Sequence, residues 1–350
     1  MARQGQVSRL WRAYMLRHKR RRLLIRSWIK RRQLTCRRDL TATIRPDDVL
    51  TFACIRNEIA VLPAWLAHYR KLGVRHFLIV DNNSDDGTTA FLLEQPDVSL
   101  WHTTHSYRLS RFGMDWLGAL QIKHGGGHWC LTVDADEFLV YPHCETHDLP
   151  SLTSWLRQSG HRSFGALMLD MFPKGPVGQT MFNAGDDPIA KLGWFDAYPY
   201  WAQLQPKMEN LWFQGGPRAR VFFADDQTRA PTLNKVPLVD WSRRYCYVSS
   251  THNILPRQLN HTYDENGVTK ATGVLLHTKF LNTVVPKAQE ELDRQQHFAD
   301  PAQYRSYYDA VISDPVLWSP EAFQYKGPDQ LLALNLMSAG DWGQFGNIDD

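Results

Sequence analysis

No stretch of the 350 residues is apolar for the roughly 18–20 positions that a membrane-crossing helix needs. A secretory leader core with a small-residue cleavage site is also missing, so the protein is expected to stay on one side of the membrane. Cysteine is scarce. Cys36, Cys54, Cys130, Cys144 and Cys246 are odd in number, scattered, and include no Cys-x-x-Cys pair. That speaks against a disulfide-stapled fold and for a reducing compartment. Neither internal repeats nor low-complexity tracts occur. Acidic residues are missing from residues 1–38, which hold 14 Lys or Arg. The other 312 residues carry 26 basic against 36 acidic side chains, so a net charge of only +4 conceals a basic arm on an acidic body.

Apolar and aromatic residues are plentiful. A hydrophobic content of 43%, with 13 Trp, 13 Tyr and 16 Phe, supplies the core of one large domain and leaves aromatic residues over for its surface. Within the arm, Val7, Leu10, Trp11 and Tyr14 fall on one helical stripe, and Leu24, Ile25, Trp28 and Ile29 on a second. Basic amphipathic helices of this kind lie in the interface of anionic membranes. The arm is therefore expected to hold a cytoplasmic protein peripherally at the inner membrane face. A disordered basic tail is the alternative, and the acidic body argues against a nucleic-acid partner.

The densest chemistry lies in His128-Trp129-Cys130-Leu131-Thr132-Val133-Asp134-Ala135-Asp136-Glu137-Phe138. A short apolar strand runs into carboxylates at i and i+2, which in a strand face the same side. Asp134 and Asp136 thus suit Mg²⁺ or Mn²⁺ shared with a diphosphate. Upstream, Thr51–Ile55 reads as a strand ending at Arg56-Asn57-Glu58. An amphipathic helix follows through Leu62, Trp65, Leu66, Tyr69 and Leu72, and Gly73 stops it. The run Phe77-Leu78-Ile79-Val80 reads as a strand buried on both faces, ending in Asp81-Asn82-Asn83-Ser84-Asp85-Asp86-Gly87-Thr88. Such a β-α-β order gathers polar residues at the carboxyl edge of a parallel sheet, where open α/β sheets bind ligands.

From about Val49 to Tyr141 the three strand-end motifs (Asn-Glu, Asp-Asn-x-Ser-x-Asp-Gly-Thr and Asp-x-Asp) resemble the GT-A glycosyltransferases, in particular the bacterial family 2-like branch. "GGPRARVFF", "LNKVPLVDW", "SSTHN" and "GVLLHTKFL" are similar to the later half of that branch. The resemblance implies an α/β, Rossmann-like GT-A fold: a mostly parallel sheet flanked by helices, a helical C-terminal region and the basic N-terminal arm. It divides the chain into an arm (1–45), a transferase domain (46–283, split into a nucleotide-sugar half, 46–145, and an acceptor half, 146–283) and a helical region (284–350). It also implies Arg56, Asn57 and Glu58 at the nucleoside, Asp81 on base or ribose, Asp134 toward the ribose and Asp136 on the metal. The expected activity is metal-assisted transfer from a nucleotide-diphosphate sugar to a glycan or lipid-linked acceptor, in cell-surface or exopolysaccharide assembly. A membrane-associated, catalytically silent glycan- or nucleotide-sugar-binding protein is the alternative. A nucleotidyltransferase would carry a Gly-rich phosphate loop where Arg56-Asn57-Glu58 stands.

Other residues compete for roles. Asp85 and Asp86 suit helix capping. Arg108 and Arg111 suit a diphosphate, as does Lys279. His277, at the end of Gly273–Leu276, is the candidate further metal ligand, whereas His143-Cys144-x-x-His147 reads as a surface loop. The acceptor hydroxyl needs a carboxylate base; Asp170 at a strand end is the first choice among Asp170, Glu209, Asp225, Asp226 and Asp240. Tyr304, Tyr307, Tyr308, Trp318 and Phe323 read as packing or acceptor groove, and the tail from Trp342 as frayed.

Overall fold

The computed structural model describes residues 2–183, 185–264, 270–294 and 305–345. Tyr304, the tail 346–350 and the side chains of Val7 and Leu10 lie outside what is described. The first half contains helix α1 (Ala2–Lys30) and strands β1 (Thr35–Arg38), β2 (Leu50–Ile55), β3 (His76–Asp81), β4 (Val98–His102), β5 (Trp129–Thr132), β6 (Glu137–Val140) and β7 (Ser163–Phe172). Helices α2 (Leu62–Lys71), α3 (Thr88–Glu94), α4 (Met114–His124) and α5 (Leu149–Gln158) connect them. The second half adds α6 (Pro188–Leu192), β8 (Trp194–Phe195), the hairpin β9 (Tyr200–Gln205) and β10 (Asn210–Gly215), β11 (Asn234–Asp240), β12 (Cys246–Ser249), β13 (Asn253–Leu255) and β14 (Gly273–His277). It closes with α7 (Val284–Arg294), α8 (Arg305–Ile312), β15 (Phe323–Gln324), α9 (Pro328–Ala333) and α10 (Trp342–Phe345).

One central sheet runs in the order β1-β4-β3-β2-β5-β11-β7-β14-β6, with β8 and β15 extending it from β7. β4, β3, β2 and β5 are parallel, whereas β11 is antiparallel to both of its neighbours. Helices cover the faces, and this α/β layering agrees with a Rossmann-like reading. β3 is buried at every position, as its unbroken apolar run requires. The arm is not separate from this body, since Thr35–Arg38 pairs with β4 as an edge strand. The tail is not frayed where it begins either. Trp342 is buried, its ring lies 5.4 Å from that of Trp155, and its indole N–H donates to the Pro142 carbonyl at 2.9 Å. All five thiols are free.

β5 and β6 are consecutive in sequence yet stand four places apart in the sheet. The chain between them crosses the carboxyl edge as a tight turn, in which the Glu137 N–H donates to the Asp134 carbonyl at 3.2 Å. Asp134 and Asp136 therefore sit on a turn rather than on one face of a continuing strand, as their spacing had implied. Helix α2 braces this crossing. Its apolar stripe buries Leu62, Trp65, Leu66 and Tyr69, and its polar tips reach past the core. The Trp65 indole donates to the Asp134 carbonyl (3.1 Å), the Tyr69 hydroxyl to that of Glu137 (2.8 Å), and His68 Nε2 to that of Leu139 (2.9 Å). Gly73, at φ +87°, then reverses the chain.

Burial pushes the His68 imidazole down to about 4, so it is neutral in the folded protein. The unfolded chain takes up that proton near pH 6.5. Between about pH 6.5 and 4 the unfolded state therefore binds the extra proton, and stability is lost as pH falls. In denaturant titrations from pH 7.5 to 4.5, His68→Phe is expected to lose stability less steeply than the native chain. Equal slopes would remove His68 from the account.

Candidate functional site

The carboxyl ends of β2 and β14, Met168 of β7, the β5–β6 crossing and helices α7 and α8 line a cavity of about 430 Å³. Its floor is a chain of alternating charges. The Arg218 guanidinium donates through Nε to Asp170 Oδ2 at 2.7 Å, and Asp170 Oδ1 accepts from His277 Nδ1 at 2.6 Å. His277 Nε2 in turn meets Asp136 Oδ2 at 3.2 Å. The sheet register creates this row, because His277 is paired with Asp170 of β7 on one side and Glu137 of β6 on the other. Burial alone would lower the His277 imidazole, but Asp136 and Asp170 outweigh it and raise it to about 9. Burial would likewise raise the Asp136 carboxyl, yet the His277 cation holds it well below the usual carboxylate range.

A second pair stands beside the first. Lys235, the one cation of the buried strand β11, has its ammonium 2.9 Å from Glu137 Oε1 and 3.5 Å from Asp134 Oδ2. Glu137 Oε2 accepts the Asp134 backbone N–H at 3.1 Å. The β14 end completes the support, since the Thr278 N–H donates to the Asp136 carbonyl at 2.7 Å. The Asp134 side chain, by contrast, is 47% exposed and faces the cavity.

At the cavity's other end, Arg56, Asn57 and Glu58 follow β2. Asn57 takes a left-handed conformation (φ +53°), and its side chain accepts the Asp85 N–H at 3.0 Å. Glu58 Oε1 pairs with Lys287 of α7 at 2.7 Å. Lys279 lines the cavity with its ammonium 5.6 Å from the Tyr307 ring centre. Among the described residues it pairs with no carboxylate within ion-pair distance. Tyr107 and Phe112 supply aromatic wall, and Tyr308 lies alongside Tyr307.

Three of the expected site residues do not reach this space. Asp81 is fully buried, and its oxygens accept from the Ser84 N–H, the Ser84 hydroxyl and the Thr89 hydroxyl. It organises the turn after β3 and leaves the cavity wall there to Asn82. Arg111 turns away, donating to Asp115 at 2.7 Å and to the Tyr247 carbonyl at 2.8 Å. Asp170 lies behind His277 with both oxygens engaged, so it orients the imidazole and is not placed to meet an acceptor. The other carboxylates considered as a base are also off the cavity: Glu209 pairs with Arg257, Asp240 with Arg157 and Arg162, Asp226 caps its own turn, and Asp225 beside it is exposed. Neither Asp85 nor Asp86 stands at the N-cap of α3, which is Gly87; Asp86 accepts the Thr88 and Ile59 N–H groups, and the exposed Asp85 lies 4.0 Å from Arg56.

Three cavity residues, Lys235, Arg218 and Lys287, receive no role in the sequence reading, whereas His252 belongs to the SSTHN stretch, which also brings Ser249 and Ser250 to the wall. Only Lys235 carries a signal, as a lone cation inside the buried strand Asn234–Asp240. His252 Nδ1 stands 2.6 Å from the Asn234 carbonyl. A carbonyl only accepts, so Nδ1 carries the hydrogen and Nε2 the lone pair. Burial, with Lys235 nearby, pushes this imidazole down to about 3 and keeps it neutral.

The donor set fits a small divalent cation held jointly with a ligand. His277 Nε2 and Asp136 Oδ2, 3.2 Å apart, are the imidazole nitrogen and carboxylate oxygen that could hold such an ion, which would take the place of the proton between them. The Asp170 contact on Nδ1 is the usual means of fixing a ligating imidazole. Among the described residues no three His, Cys, Asp or Glu side chains form a closed metal cluster, so substrate oxygens and water would complete the coordination.

No family model matches the chain. Over 137 residues it is 29% identical to a glycosyltransferase family 92 protein of Oryza sativa subsp. japonica, covering 36% of this chain and 21% of the relative. Over 138 residues it is 28% identical to a glycosyltransferase family 92 protein of Arabidopsis thaliana, covering 35% and 22%. Both relatives are glycosyltransferases by name. The chain spans about a fifth of the length of each. They support glycosyl transfer in general and lend no support to the narrower family 2-like branch.

Removing the Lys235 ammonium would strand Glu137 as a buried charge, a change that typically costs about 3–5 kcal/mol. Lys235→Met is expected to lower the melting temperature sharply, and Lys235→Met/Glu137→Gln to recover part of the loss. A Lys235→Met protein as stable as the native one would overturn the ion-pair account.

Proposed function

We propose that the protein is a GT-A-type glycosyltransferase that moves a sugar from a nucleotide-diphosphate donor to a glycan or lipid-linked acceptor. The observation that carries this reading is the 3.2 Å pairing of His277 Nε2 with Asp136 Oδ2 on the floor of the cavity, beside Asp134 and Lys279. The similarity to two proteins named glycosyltransferases supports the reaction class.

In this reading Asp136 and His277 hold Mg²⁺ or Mn²⁺, which when bound neutralises charge on the diphosphate leaving group. Lys279 adds a mobile positive charge to the same oxygens. Arg56 and Asn57, held by the turn after β3, and Glu58, held by Lys287, form the nucleoside end. Tyr107 and Phe112 offer faces for the base. Asp134 keeps a half-exposed carboxylate toward ribose or sugar hydroxyls, and His252 Nε2 accepts a hydrogen bond from a hydroxyl. Asp170 positions His277 from behind. The aromatic pair Tyr307 and Tyr308 closes the side on which the acceptor approaches.

Nucleotide release from UDP-, GDP-, dTDP- and CMP-sugars, with Mn²⁺ or with EDTA, tests the proposal. Release from one donor is expected, abolished by EDTA and reduced at least about 100-fold in Asp136→Ala. His277→Ala should raise the Mn²⁺ concentration needed for half-maximal release. Donor binding by thermal shift without turnover would favour a silent nucleotide-sugar-binding protein, and no binding to any donor would reject both. Lys279→Met separates charge on the diphosphate from metal binding: a raised donor KM with an unchanged Mn²⁺ titration is expected.

A further inference from the structure

Helix α1 is docked on the body by one face only, and the face it leaves outside is unlike an ordinary solvated helix surface. Leu16 and Leu23 are buried against Met208, Cys246 and Leu255. Ser27, 1% exposed, packs where Gly118 of α4 has no side chain; a Cβ there would stand 2.7 Å from the Ser27 hydroxyl. Arg26 pairs with the buried Asp115 at 2.6 Å, and the Trp116 indole donates to Gln33 at 2.9 Å. These contacts hold the helix against α4 and β12 and fix which stripe faces outward.

Residues 11, 14, 25 and 29 recur on the side opposite Leu16 and Leu23, with 15 and 28 at its flanks. Trp11 is 63% exposed and Ile25 58%, and Tyr14, Met15, Trp28 and Ile29 are exposed as well. Arg17, Arg21 and Arg22 are exposed between them, and no carboxylate occurs before Asp39. The Trp11 and Tyr14 rings stack at 5.7 Å, and the Arg31 guanidinium lies 4.5 Å from the Trp28 ring centre.

From this arrangement we infer that the outer face of α1 is a docking surface for an anionic lipid bilayer, with the whole domain rigidly attached behind it. The occupant follows from the chemistry. Large apolar and aromatic side chains set among arginines match the acyl boundary and the anionic headgroups at once. A second copy of the chain would set arginine against arginine with no carboxylate on either face to relieve it. A nucleic acid would use the cations but leave Ile25, Ile29 and Met15 unburied. The helix attached to the membrane also packs on β12, whose end leads into Ser249 and Ser250 of the cavity wall. The bilayer face and the cavity thus belong to one body. Among the described residues no helix is long and apolar enough to cross a membrane.

The test uses the full chain, pelleted with vesicles of phosphatidylcholine alone or of phosphatidylcholine and phosphatidylglycerol at 70:30. The protein is expected to sediment with the anionic vesicles and not with the neutral ones. Trp11→Ser/Trp28→Ser should lower the bound fraction about five-fold at equal lipid, and Arg17→Glu/Arg21→Glu/Arg22→Glu should abolish binding. Both variants alter exposed side chains, and unchanged melting temperatures confirm that each is folded. Absence of binding to anionic vesicles overturns the inference, as does native-like binding by the Trp variant. Self-association in light scattering that the Trp variant loses, without vesicle binding, would make a second copy the occupant. Tryptophan-independent binding to a 20-base-pair duplex, without vesicle binding, would make it a nucleic acid. Each of these results also overturns the bilayer assignment. None depends on a sugar donor, so the outcome is independent of the proposed transferase activity.

Discussion

The buried alternation Arg218–Asp170–His277–Asp136 is the constraint on which the rest of the site depends. Each of these charges has little or partial access to water, and each is tolerable only because the next one touches it. Asp170 belongs to β7, His277 to β14, Asp136 to the crossing and Arg218 to the turn after the β9–β10 hairpin. The charges can meet only if β14 lies directly beside β7 and the crossing passes over their ends. The sheet order and the chemistry of the cavity floor are therefore one requirement. Lys235 and Glu137 add a second buried pair one strand away, and together the two pairs make the floor rigid where two oxygen donors and one imidazole must stay close.

Rigidity at the crossing comes from the core as much as from charge. Along α2 the buried Trp65 and Tyr69 and the half-buried His68 send their polar tips to three carbonyls of the same short segment. The aromatic core thereby positions the acidic turn directly. Thr278 secures the Asp136 carbonyl from the other side. With its backbone held at both ends, the turn leaves two side chains partly open to the cavity, Asp134 at 47% and Asp136 at 31%. Asp136 is tied to His277 as well, and Asp134 has the greater exposure.

A good deal of this was legible in the residues. The apolar run of β3, the stripe of α2 and the strand ending at Arg56-Asn57-Glu58 follow from periodicity and stop signals, and all lie where those signals put them. Asp136 and His277 were legible as polar residues at strand ends, and they meet. Asp81 and Asp170 carried the same kind of signal and are used differently. Position at a strand end does not say whether a carboxylate faces solvent or a neighbouring hydroxyl. Ser84 and Thr89 claim the first, and His277 and Arg218 the second. Arg111 was lost in the same way to Asp115.

What the sequence by itself determined is local: which segments are strands, which helix face is apolar, where the charge of the arm begins, and which carboxylates stand at the carboxyl edge. Those properties depend on neighbours within a few residues, where spacing and side-chain type decide. The tertiary structure alone decided that β5 and β6 part company across the sheet, that Lys235 neutralises Glu137 and that Lys287 reaches Glu58 from 229 positions away. It also decided that Trp342 is core and that Gly118 seats Ser27, so that one stripe of the arm is covered and the other left bare. Each of these is a pairing between distant segments. Its energy exists only after the sheet order has been chosen, and no local pattern carries a record of the partner.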